Sequence, residues 1–154
     1  PGGTVKPRCV ELFAGGGGAA LGLRAAGFSS LACVEADAAA CRTLTGAGFP
    51  TVQGWIGTDP PAGVEIPCWP TDAGDVGLVA QGEEIDVVWA SPPCQPWSMA
   101  GKQEGHSDSR EGSAATIAAL RLLRPQFVIV ENVRGFPAHD FAAQLVDEIG
   151  RAHV

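Results

Sequence analysis

The chain has 154 residues, 45% of them apolar, and a formal net charge of −7. That is enough chain for one compact domain with a core, and the negative balance counts against nucleic-acid binding by this stretch alone, because phosphate contacts need clustered Lys and Arg. Five cysteines (Cys9, Cys33, Cys41, Cys68 and Cys94), an odd number with no C-x-x-C pair, argue against a disulfide framework and against a zinc site. No apolar run approaches the length that spans a bilayer, and the first residues lack the order of a signal peptide, so a soluble cytoplasmic protein without a metal is expected.

Along the chain, apolar runs alternate with helical patterns. Cys9–Phe13 reads as a short strand, Gly15–Gly18 as a glycine turn, and Ala19–Ala26 as a helix stopped by Gly27. Leu31–Val34 is a second strand ending at the acid Glu35, followed by a helix over Ala38–Leu44. From Gly48 to Gly74 the composition shifts to Pro, Gly and Trp, which reads as an irregular excursion holding a third short strand at Thr51–Gln53. Ile85–Ala90 and Phe127–Glu131 are strands of the buried, continuously apolar kind found in parallel sheets. Between them Ala114–Leu123 is a helix closed by Pro125, and Phe141–Ile149 begins another after a polar turn around His139 and Asp140. No internal repeat is visible. The alternation predicts an open, doubly wound, mostly parallel α/β sheet, whose ligands bind outside the carboxyl ends of the strands.

That rule brings four polar features to one rim: the glycine turn, Glu35, Cys94 and Glu131. Cys94 lies in Ser91-Pro92-Pro93-Cys94-Gln95-Pro96-Trp97-Ser98, where the prolines preset φ and bias their neighbours to extended geometry, so its thiol is aimed rather than left mobile. Taken alone it also reads as a buried structural thiol, the commoner state of a free cysteine. The glycines allow a backbone to approach a ligand and leave helix N–H groups facing it. Glu35 follows Gly15 by about 20 residues, the spacing at which an acid accepts hydrogen bonds from both hydroxyls of a ribose in dinucleotide folds. Gly15-x-Gly17-x-x-Ala20 with Glu35 satisfies that fingerprint loosely, and on these residues a nicotinamide or flavin enzyme stays open. Hydride transfer, however, has no need of a cysteine with a carboxylate on the neighbouring strand.

Four motifs occur in a telling order: Glu11-Leu12-Phe13-Ala14-Gly15-Gly16-Gly17-Gly18, then Pro92-Pro93-Cys94-Gln95-Pro96-Trp97-Ser98, then Gly101-Lys102-Gln103 leading to Asp108-Ser109-Arg110, and Glu131-Asn132-Val133. In this order they resemble the DNA cytosine-5 methyltransferases over nearly the whole chain, apart from an insertion-like stretch around Trp55–Thr71. The resemblance implies a Rossmann-like methyltransferase sheet, incomplete here, with S-adenosyl-L-methionine as cofactor. It implies that Phe13 edges the adenine, that Ala14, Gly15 and Gly17 pass backbone close to the methionine part, that Glu35 holds the ribose, and that Pro93 borders the cofactor. Asp75 and Val76 look like the adenine-reading pair; Gly54-Trp55-Ile56 lies at the more usual distance from Glu35 but lacks an acid able to accept the amino proton. Cys94 is implied as the nucleophile that adds to C6 of cytosine, and Glu131 as the group that engages N3. Gln95, Ser98, Lys102 and Arg110 fall on the loop that closes over DNA and contacts phosphate. The partner implied is double-stranded DNA with the target base flipped out, in a bacterial or phage restriction-modification setting.

The chain departs from the pattern in three places. Glu11 stands where the family usually has Asp, and Glu111-Gly112-Ser113-Ala114 replaces the expected run after Arg110. The Gln-x-Arg motif, the target-recognition region and the late asparagine-containing segment do not occur, so residues 1–148 are expected to be part of a catalytic domain and inactive alone. Ile149-Gly150-Arg151-Ala152-His153-Val154 matches the translation of a common sequencing-adapter sequence, and 149–154 is expected to be a non-native tail. A tRNA methyltransferase of the same fold would share these motifs, and a non-catalytic cofactor-binding or interaction module would keep the fold without needing Cys94 and Glu131 together.

Overall fold

The computed structural model describes residues 6–57, 63, 65–69, 82–93, 112–134, 136 and 138–149. Strands β1 (Arg8–Leu12), β2 (Ser29–Glu35) and β3 (Thr51–Gln53) alternate with helices α1 (Gly18–Ala25) and α2 (Ala38–Gly46). After the short strands β4 (Trp55–Ile56) and β5 (Cys68–Trp69) come β6 (Val87–Ala90), α3 (Ser113–Leu123), β7 (Phe127–Val130) and α4 (Ala138–Ile149). The main sheet runs β3-β2-β1-β6-β7 with every pair parallel, and β4 and β5 form a separate parallel pair. The Rossmann-like, doubly wound expectation holds.

Side-chain alternation along β1 explains the two layers. Val10 and Leu12 are fully buried in a core with Val88, Ala90 and, from α3, Ala119, Leu120 and Leu123. Cys33 of β2 faces the other way, packing with Ala14, Ala20 of α1, Leu44 of α2 and Phe49. Period-2 alternation in a strand between two helical layers therefore sends Glu11, out of phase with Val10 and Leu12, into the interior, where it is 3% exposed. At the opposite end of the strands, Asp86 clamps the sheet: its carboxylate accepts from the Arg8 backbone N–H at 2.6 Å and from Gln126 Nε2 at 3.2 Å.

Three expectations need correction. Phe127–Glu131 is not a strand buried on both faces: Phe127 is 64% exposed and Ile129 41%, because only the alternate residues Val128 and Val130 face the core. The stretch after Gly48 holds the β4–β5 pair besides β3. Helix α4 starts at Ala138 rather than Phe141, and Asp140 sits in its first turn, where a carboxylate favours the helix dipole. Among the described residues no helix is long and apolar enough to cross a membrane.

Helix α1 depends on Gly17, whose φ of 89° is left-handed and whose missing Cβ makes room for Leu44: a Cβ built there would stand 2.7 Å from Leu44 Cδ2. Gly17→Ala is expected to cost about 2 kcal/mol, from the left-handed backbone and from displacing a fully buried leucine. Urea denaturation checks it; an unchanged midpoint would show that the turn relaxes freely.

Candidate cofactor site and active site

The chain leaves β1, passes through β2 and β3 on one side, and returns to β6 on the other side of β1. The crevice of an open α/β sheet lies at such a reversal, and the turns leaving β1 and β6 both open onto it. The Ser91 N–H donates to the Leu12 carbonyl at 3.2 Å, the Ala14 N–H to Val34 at 3.0 Å, and the Glu131 N–H to Ala90 at 2.9 Å, so all four strand ends are tied at one level.

Glu35 organises the first part of this rim. Its Oε2 accepts the Gly15 N–H at 2.7 Å, and its Oε1 accepts the N–H groups of Ala36 at 2.7 Å and Asp37 at 2.8 Å. Three backbone donors hold the carboxylate in one orientation, while an ionised carboxylate has about four lone-pair directions, so acceptor capacity toward a ligand is left. A Cβ built on Gly15, Gly16 or Gly18 would meet nothing within 4 Å, so the turn that Glu35 anchors borders open space. Ala14 lies in the core beside Cys33, with its N–H on Val34 and its carbonyl accepting from Gly17. Phe13 takes a left-handed φ of 57°, which costs a non-glycine residue about 1 kcal/mol. The Gly54 N–H donates to the Glu35 carbonyl at 2.9 Å, so the Trp55 segment starts directly beside the acid; Asp75 and Val76 lie outside the described residues.

The second part of the rim is the turn after β6. Pro92 is buried and Pro93 half-buried. Asn132, next to the exposed Glu131, donates its Nδ2 to the Pro92 carbonyl at 3.0 Å and accepts the Val133 N–H at 2.9 Å. One side chain thus clips the end of β7 to the turn that leads into Cys94. Gly112, at the start of α3, meets the same turn: a Cβ there would lie 3.0 Å from Pro92, 3.1 Å from Pro93 and 3.3 Å from the Phe13 ring. Sequence reasoning missed both contacts. Asn132 belongs to the Glu131-Asn132-Val133 motif and Gly112 to the run that departs from the family pattern, but neither pattern says what it touches. Cys94, Gln95, Ser98, Lys102 and Arg110 lie outside the described residues. Cys9, Cys33, Cys41 and Cys68 are buried.

Residues 7–149 match the family model of C-5 cytosine-specific DNA methylases. The chain belongs to that family. It is 37% identical over 129 residues to the Type II methyltransferase M.NgoMIV of Neisseria gonorrhoeae, covering 82% of this chain and 35% of the relative. It is 35% identical over 137 residues to the Type II methyltransferase M.Sau96I of Staphylococcus aureus, covering 84% and 28%. The chain therefore spans about a third of the length of these relatives. Its fold is similar to that of the S. pombe Dnmt2 methyltransferase, with a TM-score of 0.61 at 18% identity over 93% of this chain and 40% of that one. Members of the family take their methyl group from S-adenosyl-L-methionine, and the rim has a donor set that could hold it: a fixed carboxylate with acceptor capacity left, beside an open glycine turn.

Glu11 is the site's unusual acid. Burial pushes its carboxyl up to about 7, against the lowering effect of the Ala20 backbone N–H and the Cys33 thiol. A carboxyl whose folded pKa lies above its unfolded value near 4.5 destabilises the fold progressively as pH rises from about 4.5 to 7, because the unfolded chain ionises first. Glu11→Gln, which keeps the neutral shape, is expected to change stability little at pH 4.5 and to raise it by about 2 kcal/mol at pH 8. Paired urea titrations at the two pH values check this, and an equal effect at both would refute the assignment.

Proposed function

We propose that the protein methylates C5 of cytosine in double-stranded DNA, with Cys94 as nucleophile and Glu131 as the group that engages the base. The observation that carries this reading is the Asn132–Pro92 hydrogen bond of 3.0 Å, which ties the strand end bearing Glu131 to the turn entering Cys94, beside the rim where Glu35 holds Gly15. Because the chain spans about a third of its relatives' length, substrate and activity are proposed for the protein as a whole.

S-adenosyl-L-methionine, when bound, would supply an electrophilic methyl group, its S–CH3 bond breaking to leave the neutral thioether S-adenosyl-L-homocysteine. Cytosine C5 is too weak a nucleophile to take the methyl group unaided, so the Cys94 thiolate adds to C6 and the displaced π electrons make C5 enamine-like, while Glu131 at N3 supports the charge on the ring. After C5 carries the methyl group, its proton is lost and the C6–S bond breaks, which restores the ring double bond and frees Cys94. The reacting atoms lie inside the duplex stack, so the nucleotide is flipped out to reach them. Gln95, Ser98, Lys102 and Arg110 follow the nucleophile and supply contacts to the DNA backbone. Phe13, Gly15, Gly17, Glu35 and Pro93 border the cofactor, with Asp75 and Val76 reading its adenine.

Incubation of the product of the full coding sequence with the cofactor and DNA carrying 5-fluorocytosine should trap a covalent complex, since fluorine cannot leave as the C5 proton does. Loss of the complex in Cys94→Ser supports the role of the thiol; a complex that persists in the variant removes Cys94 as nucleophile. Glu35→Gln sets an amide NH2 among three N–H donors, and is expected to weaken S-adenosyl-L-methionine binding at least tenfold by calorimetry. Unchanged affinity would place the ribose elsewhere.

A further inference from the structure

Gly112 stands where its own backbone gives no reason for a glycine. Its φ of −100° and ψ of 3° are open to residues with a side chain, and a Ser, Thr, Asp or Asn at this N-cap of α3 would bond a free helix N–H, a contact this helix start goes without. The reason is space. Gly112 is buried, and a Cβ there would stand 3.0 Å from Pro92 Cβ, 3.1 Å from Pro93 Cδ and 3.3 Å from Phe13 Cζ. Two of these neighbours are proline rings, which cannot swing aside as a flexible chain end would.

Each body that meets at Gly112 is held from behind. Helix α3 is anchored by Thr116, Ala119 and Leu120, all fully buried, and Thr116 reaches back, its N–H and Oγ1 donating to the Gly112 carbonyl at 2.8 and 2.7 Å. Ahead of the prolines, Ser91 donates its N–H to the Leu12 carbonyl, and the Pro92 carbonyl accepts from Asn132. Phe13 lies between Leu12 and Ala14, whose N–H is bonded to Val34, and keeps a left-handed φ. A methyl group added at Gly112 therefore finds no slack in the helix. The neighbours must give by a few tenths of an ångström, and the shift passes into the turns after β1 and β6.

We propose that Gly112 is a positioning residue for the methyl transfer: by lacking a side chain it sets the spacing between the turn carrying Phe13 and the Pro92–Pro93 turn that leads to Cys94. This rests on the function proposed above. In that reaction the methyl carbon must meet C5 while C6 is bonded to Cys94, so the separation of the two turns sets the separation of the reacting atoms. A misplacement of about 1 Å costs about a hundredfold in rate, and a few tenths of that distance about tenfold. The loss falls on the chemical step, because each turn keeps its own hydrogen bonds and only their separation changes.

The test is steady-state methyl transfer to duplex DNA by the product of the full coding sequence. Gly112→Ala should lower kcat at least about tenfold, with KM for S-adenosyl-L-methionine and for DNA within about threefold of the wild type. Gly112→Ser brings the same Cβ together with a helix cap, so its urea midpoint should match or exceed that of Gly112→Ala while kcat stays as low. Pro93→Ala removes the Cδ that the new methyl group meets; in that background Gly112→Ala should cost about threefold or less, a non-additive double-mutant cycle. The role is overturned by an unchanged kcat in Gly112→Ala, by a kcat that recovers along with stability in Gly112→Ser, or by an additive cycle. A wild type that transfers no methyl group to DNA refutes the proposed function and this role with it, whereas an active wild type with an additive cycle refutes the role alone.

Discussion

The strand β1 constrains everything around it. Its backbone is hydrogen-bonded on both edges, to β2 and β6, and both its faces are covered by helices. A strand so placed cannot slip in register without reversing every side chain between the two layers. It therefore fixes where α1 starts, where the turn after Leu12 emerges and how far that turn lies from the one after β6. The same alternation that buries Val10 and Leu12 on one side forces Glu11 into the other, where a charge is costly.

The site grows out of this constraint through carboxylates and amides rather than through apolar packing. Glu35, at the end of the strand beside β1, gathers the N–H groups of Gly15, Ala36 and Asp37, and so holds the glycine turn open above the sheet. Asn132 does the corresponding work on the other side, by gripping the carbonyl of Pro92. Gly112 lets α3 press on both turns at once, because Pro92, Pro93 and the Phe13 ring occupy the space a Cβ would need. The turns after β1 and β6 are thus braced against each other through Gly112 and the Asn132 side chain.

Edges and partners are a different matter. The outer face of β7 presents Phe127 and Ile129 to solvent, while its inner face packs on the core. A run of four apolar residues, Phe-Val-Ile-Val, looks the same whether one or both faces are covered, because burial depends on what lies beyond the strand. The net charge of −7 is likewise not that of a DNA-binding surface, and the chain spans about a third of its relatives' length.

Local patterning by itself determined the alternating α/β class, most element positions, and the rim of glycine turn, Glu35 and Glu131, because strand periodicity, helix stops and glycine turns are encoded within short windows. The ordered motifs carried the family. Tertiary structure alone decided that Glu11 is buried beside Cys33, that Asn132 grips Pro92, that Gly112 touches both turns, and that β7 has an open face. Each of these joins residues distant in the chain, Asn132 and Pro92 being 40 apart, and no local window contains the partner that sets a side chain's burial, its proton affinity or its hydrogen bond.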